Sequence, residues 1–228
     1  MIDSRYKAVL FDFDGTLYPK TSSIALRLVL NDLRHMRWLF YERVSRHELA
    51  GEDFQDAEHF YEKHFANIAK LVDVPVGNVA DWYKNKYRTL MTDVLHKYFH
   101  KQERVDDVLA ALKNRGVITA VYSDYGDVHN RLKAIGINDN IDYEWAAEDM
   151  GALKPAIRPL QQIINQLGIA AEELLIVGDR TDTDGALAKN AGADFIYIKK
   201  NDKEKLPANF DASFTALTWS DFADRVLS

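Results

Sequence analysis

Short apolar runs alternate with amphipathic helical patterns along the second half of the chain, and this alternation constrains the fold most. After an apolar run at residues 8–11, four more runs predict strands, at residues 117–122, 142–147, 174–177 and 195–198. Helical patterns lie between them at residues 105–113, 127–135, 159–167 and 185–191, and glycines 116, 136, 168 and 192 stand where these helices would end. The fold class predicted is α/β, a Rossmann-like core with a mainly parallel sheet.

The interval at residues 21–100 has a different pattern. Its apolar residues recur at helical spacing, and no strand-like alternation interrupts them. Ser22 or Ser23 can cap the first helix, and Pro75 can open the third. We therefore expect an inserted α-helical cap domain at residues 21–100, with residues 1–20 and 101–228 forming the catalytic core. Its arginines, at positions 27, 34, 37, 43 and 46, could face a ligand pocket, but most are predicted to lie on a solvated helix face.

Composition excludes several classes of protein. The 228 residues include no cysteine, which rules out a disulfide scaffold, a CxxC redox site and thiolate-bound zinc. The polar N-terminus does not resemble a secretion signal, and no apolar run approaches the ~20 residues that cross a bilayer. We therefore expect a cytoplasmic protein without a membrane partner. The net charge of −6 argues against a nucleic-acid partner.

Polar residues follow the predicted strands at the ends where α/β proteins bind ligands. Asp12 and Asp14 come directly after the first strand, and Ser123-Asp124 follow the second. Lys154 follows the third after a short loop. The fourth is followed by an acidic cluster, Asp179, Asp182 and Asp184.

These residue types suit phosphoryl transfer. A carboxylate can attack phosphorus and form an aspartyl phosphate, while a lysine and a hard cation bound by oxygen ligands neutralise the transferring oxygens. Asp12 and Asp14 are two apart in an extended segment, so both can face one pocket. Each residue alone also fits a plainer role, as a helix cap, a turn or a surface charge. Their joint placement at successive strand ends favours the site.

The chain resembles the haloacid dehalogenase superfamily, in its phosphatase branch with a helical cap between the first two motifs. The resemblance is carried by DFDGTL at residues 12–17, Ser123, Lys154-Pro155 and VGDRTDTD at residues 177–184. It implies that Asp12 is the nucleophile and Asp14 the general acid and base. It further implies phosphate contacts from Thr16, Ser123, Asp124 and Lys154, and a Mg²⁺ site formed by Asp12, Asp14, Asp179 and Asp184, with Asp182 as a nearby alternative to Asp184.

We therefore predict a Mg²⁺-dependent phosphatase that hydrolyses a small phosphorylated metabolite. A phosphomutase begins with the same transfer and stays an alternative. A dehalogenase is disfavoured because it needs neither Asp14 nor an acidic metal site. A phospho-accepting signalling domain is disfavoured because the interval from Asp12 to Ser123 far exceeds the ~30 residues of a simple βαβ unit.

Overall fold

Six parallel strands form the centre of the molecule, in a computed structural model that describes residues 2–19 and 23–228. Their bounds are β1 Ala8–Phe11, β2 Ile118–Ser123, β3 Tyr143–Ala146, β4 Leu174–Gly178, β5 Asp194–Lys199 and β6 Thr215–Thr218. Their order across the sheet is β3-β2-β1-β4-β5-β6. The predicted α/β class with a mainly parallel sheet is confirmed.

Helices cover both faces of this sheet and fill the interval after β1. Those of the interval are α1 Ser23–Asn31, α2 Met36–Glu48, α3 Ala57–Val72, α4 Val76–Trp82 and α5 Arg88–Tyr98. The remaining helices are α6 Val105–Asn114, α7 Val128–Ala134, α8 Ile157–Leu167, α9 Ala186–Ala191 and α10 Trp219–Leu227. Within residues 2–19 and 23–228, no helix is long and apolar enough to cross a membrane.

Alternate residues of each strand enter two different cores. Val9 and Phe11 face a core with α6, α7 and α10, while Ala8 and Leu10 face a core with α8 and α9. Because both faces of β1 are covered, its residues are apolar without alternation. The sequence analysis missed β6 and α10. β6 is a four-residue edge strand that begins and ends with threonine, too short and polar for a clear strand pattern.

The described residues between β1 and α6 include a helical segment, which we define as residues 23–98. The first predicted helix is divided in two, because a 3₁₀ turn at Leu33–His35 separates α1 from α2. Pro75 immediately precedes α4, as expected, and Tyr83–Tyr87 form a π-helical turn before α5. Ser23 is the first residue of α1, whereas the alternative cap Ser22 lies outside the described residues, as do Met1, Lys20 and Thr21.

A buried ion-pair network joins the helical segment to the core. Glu148, just after β3, is fully buried and accepts hydrogen bonds from Arg46 on α2, from the Tyr83 hydroxyl at 2.8 Å and from Arg88 on α5 at 3.1 Å. Burial alone would raise the pKa of Glu148, but the two guanidinium groups outweigh it and hold the pKa at about 2. Of the five arginines predicted to lie mostly on a solvated helix face, Arg46 is an exception, because it is 6% exposed.

We expect Glu148→Leu to lower the free energy of unfolding by about 3–5 kcal/mol, because it leaves the buried Arg46 guanidinium without its strongest partner. Asp149→Asn is the matched control, since Asp149 binds the same Arg88 but its side chain is 50% exposed. It should cost less than about 1 kcal/mol. Urea denaturation of both variants at pH 7 measures the difference, and equal small losses would contradict this account of the network.

Candidate active site

The candidate site lies outside the carboxyl ends of β1 and β4. The strand order reverses direction at this pair, and the crevice at such a switch point is where open α/β sheets bind ligands. Asp12 follows β1, and its N–H donates to the carbonyl of Val177 in β4 at 2.8 Å. Gly178 ends β4, and Asp179 follows it. The fold therefore brings the first and fourth sequence motifs together.

Lys154 is the electrostatic centre of the site. Its Nζ donates to Asp12 Oδ1 at 2.6 Å, to Asp184 Oδ1 at 2.7 Å and to the carbonyl of Tyr122 at 3.1 Å. The lysine is only 3% exposed. Burial opposes the charged form, but the negative charges of Asp12 and Asp184 outweigh it and raise the pKa of Lys154 well above its usual value. This lysine is therefore a fixed positive charge between two carboxylates.

Three carboxylates form a compact acidic cluster beside this ammonium. Asp12, Asp179 and Asp184 each place an oxygen within 4.8 Å of the others. Burial, opposed by Lys154, raises the pKa of Asp184 to about 7. Such an oxygen donor set suits a hard divalent cation such as Mg²⁺. Asp182, the alternative member, pairs with Arg180 at 2.6 Å and is largely exposed, so Asp184 is the residue that the fold places in the cluster.

Two glycines make room for these carboxylates. Gly15 has φ +94°, and a Cβ there would lie 2.0 Å from Asp179 Oδ2. A Cβ on Gly178 would lie 2.5 Å from Asp184 Oδ2. The close approach of a carboxylate therefore requires glycine at both positions. At Gly15 the positive φ requires glycine as well.

Asp14 is held by a buried arginine that the sequence analysis missed. Its carboxylate accepts hydrogen bonds from the Tyr18 hydroxyl and from Arg131 Nη2, both at 2.6 Å. Arg131 Nη1 also donates to Ser123 Oγ at 2.9 Å, so one guanidinium joins the first two motifs. The helical spacing of the sequence could have indicated that Arg131 is buried. It lies three residues after Val128 and beside Leu132, both on the buried face of α7.

The other predicted phosphate ligands lie around this centre. Thr16 is buried and its hydroxyl donates to Asp12 Oδ2 at 3.3 Å. The Asp124 carboxylate accepts the backbone N–H of Lys154 at 2.8 Å, and burial raises its pKa. Ser123 is fully buried, and its hydroxyl accepts from Arg131 and from the N–H of Tyr125 at 3.2 Å. Thr16 thus contacts Asp12, and Asp124 contacts Lys154. Ser123 is linked to Asp14 through Arg131.

A cavity of about 960 Å³ opens directly onto this centre. Its floor, at the carboxyl ends of the strands, includes Asp12, Asp14, Lys154 and Asp184. Its opposite wall comes from α1 and α2 of the helical segment. The arrangement can hold an anionic group of a ligand against the lysine and the acidic cluster. The helical segment would then cover the rest of that ligand.

We expect Gly15→Ala to destabilise the protein more than Gly168→Ala. Both positions have positive φ, so both variants carry the strain of that conformation, about 1 kcal/mol. Nothing lies within 4 Å of a Cβ built on Gly168, whereas the methyl group of the Gly15 variant must displace the Asp179 carboxylate. Urea denaturation measures both losses, and equal losses would contradict the close approach described here.

Comparisons with known proteins find similar phosphatases. A glyceraldehyde 3-phosphate phosphatase of Methanocaldococcus jannaschii is 24% identical, with 96% of each chain covered. Pyrophosphatase PpaX of Bacillus velezensis is 27% identical over 84% of this chain and 82% of its own. The crystal structure of a predicted phosphoglycolate phosphatase from Haemophilus somnus superposes with a TM-score of 0.65 at 20% identity, covering 97% of this chain and 98% of that one, which shows the same fold.

The family model of haloacid dehalogenase-like hydrolases matches residues 9–198, a range that contains every motif of the site. The match covers most of the chain. This chain belongs to the haloacid dehalogenase-like hydrolase family.

Proposed function

We propose that this protein is a Mg²⁺-dependent phosphatase that hydrolyses a small phosphomonoester through an aspartyl phosphate on Asp12. The observation that carries the proposal is the position of the Asp12 carboxylate. It accepts a hydrogen bond from the Lys154 ammonium at 2.6 Å and places an oxygen within 4.8 Å of the other two carboxylates of the acidic cluster, at the floor of a large cavity. The phosphatases among its relatives support the reaction class.

In the first step, Asp12 attacks phosphorus, and the bond from phosphorus to the substrate's ester oxygen breaks. Lys154 holds the phosphoryl oxygens in place and offsets their charge. Mg²⁺, bound by the carboxylates of Asp12, Asp179 and Asp184 and by the backbone carbonyl of Asp14, would add further positive charge against the phosphate. Asp14 gives a proton to the departing alcohol oxygen.

In the second step, Asp14 acts as a base and takes a proton from water, which attacks the phosphorus of the aspartyl phosphate. Phosphate leaves, and the Asp12 carboxylate is restored. For both steps Asp14 must turn from Tyr18 and Arg131 towards the substrate, because its carboxylate now binds these two groups. Arg131 then stays with Ser123, whose hydroxyl contributes to the phosphate site.

The proposed cap domain, residues 21–100, excludes bulk water and selects the substrate. Its helices form one wall of the cavity above Asp12. A covered site of this kind admits a small metabolite more readily than a protein or nucleic-acid chain. The metal-binding carboxylates and Asp14 favour phosphate transfer over dehalogenation, for which neither is needed.

We expect Asp12→Asn to reduce phosphate release from small phosphomonoesters by at least about 10³-fold, because an amide is a poor nucleophile. Asp182→Asn is the matched control: it removes a carboxylate from the same motif as Asp184 but outside the cluster, and should stay within about threefold of wild type.

Colorimetric phosphate assays with and without Mg²⁺, after treatment with a chelator, measure both variants. Product analysis separates hydrolysis from transfer to a second hydroxyl, as a phosphomutase would perform. Thermal unfolding checks that Asp12→Asn is folded. Phosphate release that survives in a folded Asp12→Asn variant, or that does not depend on Mg²⁺, would contradict the proposal.

A further inference from the structure

Apolar side chains from α1 and the first part of α2 line one wall of the cavity. α1 and α2 contribute large hydrophobic side chains to it, and some of them remain exposed at its mouth. Ile24, Leu28 and Leu39 are at most 9% exposed, while Met36 and Phe40 are 51% and 62% exposed. Exposed large apolar side chains grouped around a cavity mark a binding surface rather than a random surface.

Charged groups line the rest of the cavity. Asp12, Lys154 and Asp184 lie on the floor, where a phosphoryl group would bind. The later part of α2 adds further polar groups to the lining, Glu42, Arg43, Arg46 and His47. The cavity is therefore divided, with charged groups at the sheet and on the later part of α2, and apolar side chains on α1 and the first part of α2.

The size of the cavity points the same way. Its volume of about 960 Å³ is near the upper end of the ~300–1,000 Å³ typical of small-molecule sites. A three-carbon phosphate would occupy a small part of this volume. It would leave the apolar wall in contact with water and gain nothing from it.

We propose, resting on the phosphatase function proposed above, that the substrate is a phosphomonoester whose alcohol carries a large apolar group, a ring or a hydrocarbon chain, that packs against α1 and α2. Its phosphate lies at Asp12 and Lys154. Met36 and Phe40 are specificity-determining residues, because they form the exposed end of the apolar wall. A substrate of this shape buries apolar surface that a three-carbon phosphate does not have.

Primary alkyl esters test this directly, because their leaving groups are chemically alike. They differ only in the apolar surface that they can pack against α1 and α2. The esters are 3-phenylpropyl phosphate, n-propyl phosphate and glycerol 3-phosphate. We expect kcat/KM for 3-phenylpropyl phosphate to exceed that for the other two by at least about tenfold. The double variant Met36→Ala with Phe40→Ala should reduce this preference at least about fivefold, through a higher KM for the phenylpropyl ester alone.

Leu30→Ala is the matched control. Leu30 is 61% exposed on α1 and lies outside the cavity lining, so its loss should leave the preference unchanged. A wild-type preference for glycerol 3-phosphate, or a preference that the double variant does not alter, would overturn the inference and leave the phosphatase function standing. Failure to release phosphate from all three esters would overturn both.

Discussion

The buried ammonium of Lys154 is the interaction on which the site depends. It binds Asp12 and Asp184 at once, and so offsets the repulsion between carboxylates that the fold brings within 4.8 Å of each other. Without a cation this cluster would be costly to bury. Gly15 and Gly178 complete the arrangement, because only a residue without a side chain lets Asp179 and Asp184 approach so closely.

A second buried charge network links this site to the helical segment. Arg46 binds Glu148, stacks on the ring of Tyr125 at 3.9 Å and donates to the carbonyl of Asp124 at 3.3 Å. Asp124 in turn accepts the backbone N–H of Lys154. Contacts therefore run continuously from α2 to the central lysine. The helical segment is held in register with the residues that it covers.

The sequence predicted those parts of the site that lie beside strands. Asp12 and Asp179 directly follow β1 and β4, where an apolar run followed by polar residues is a local signal, and Lys154 and Asp184 lie in the segments that come after β3 and β4. Glu148 carried no such signal, because a charged residue in a turn is ordinarily solvated and only tertiary packing buries it. The same holds for β6, whose pairing with β5 depends on the completed sheet rather than on its own residues. For Arg131 the signal was its helical spacing with Val128 and Leu132.

The central claim is that Asp12 carries the phosphoryl group between the two steps. Acid quenching of the wild-type enzyme during turnover with Mg²⁺, followed by mass spectrometry of its peptides, tests it directly. The account predicts one phosphoryl group on the peptide that contains Asp12, at the Asp12 side chain, and its release by hydroxylamine, which cleaves acyl phosphates. Turnover with no phosphoryl group on that peptide, or with one on another residue, would contradict it.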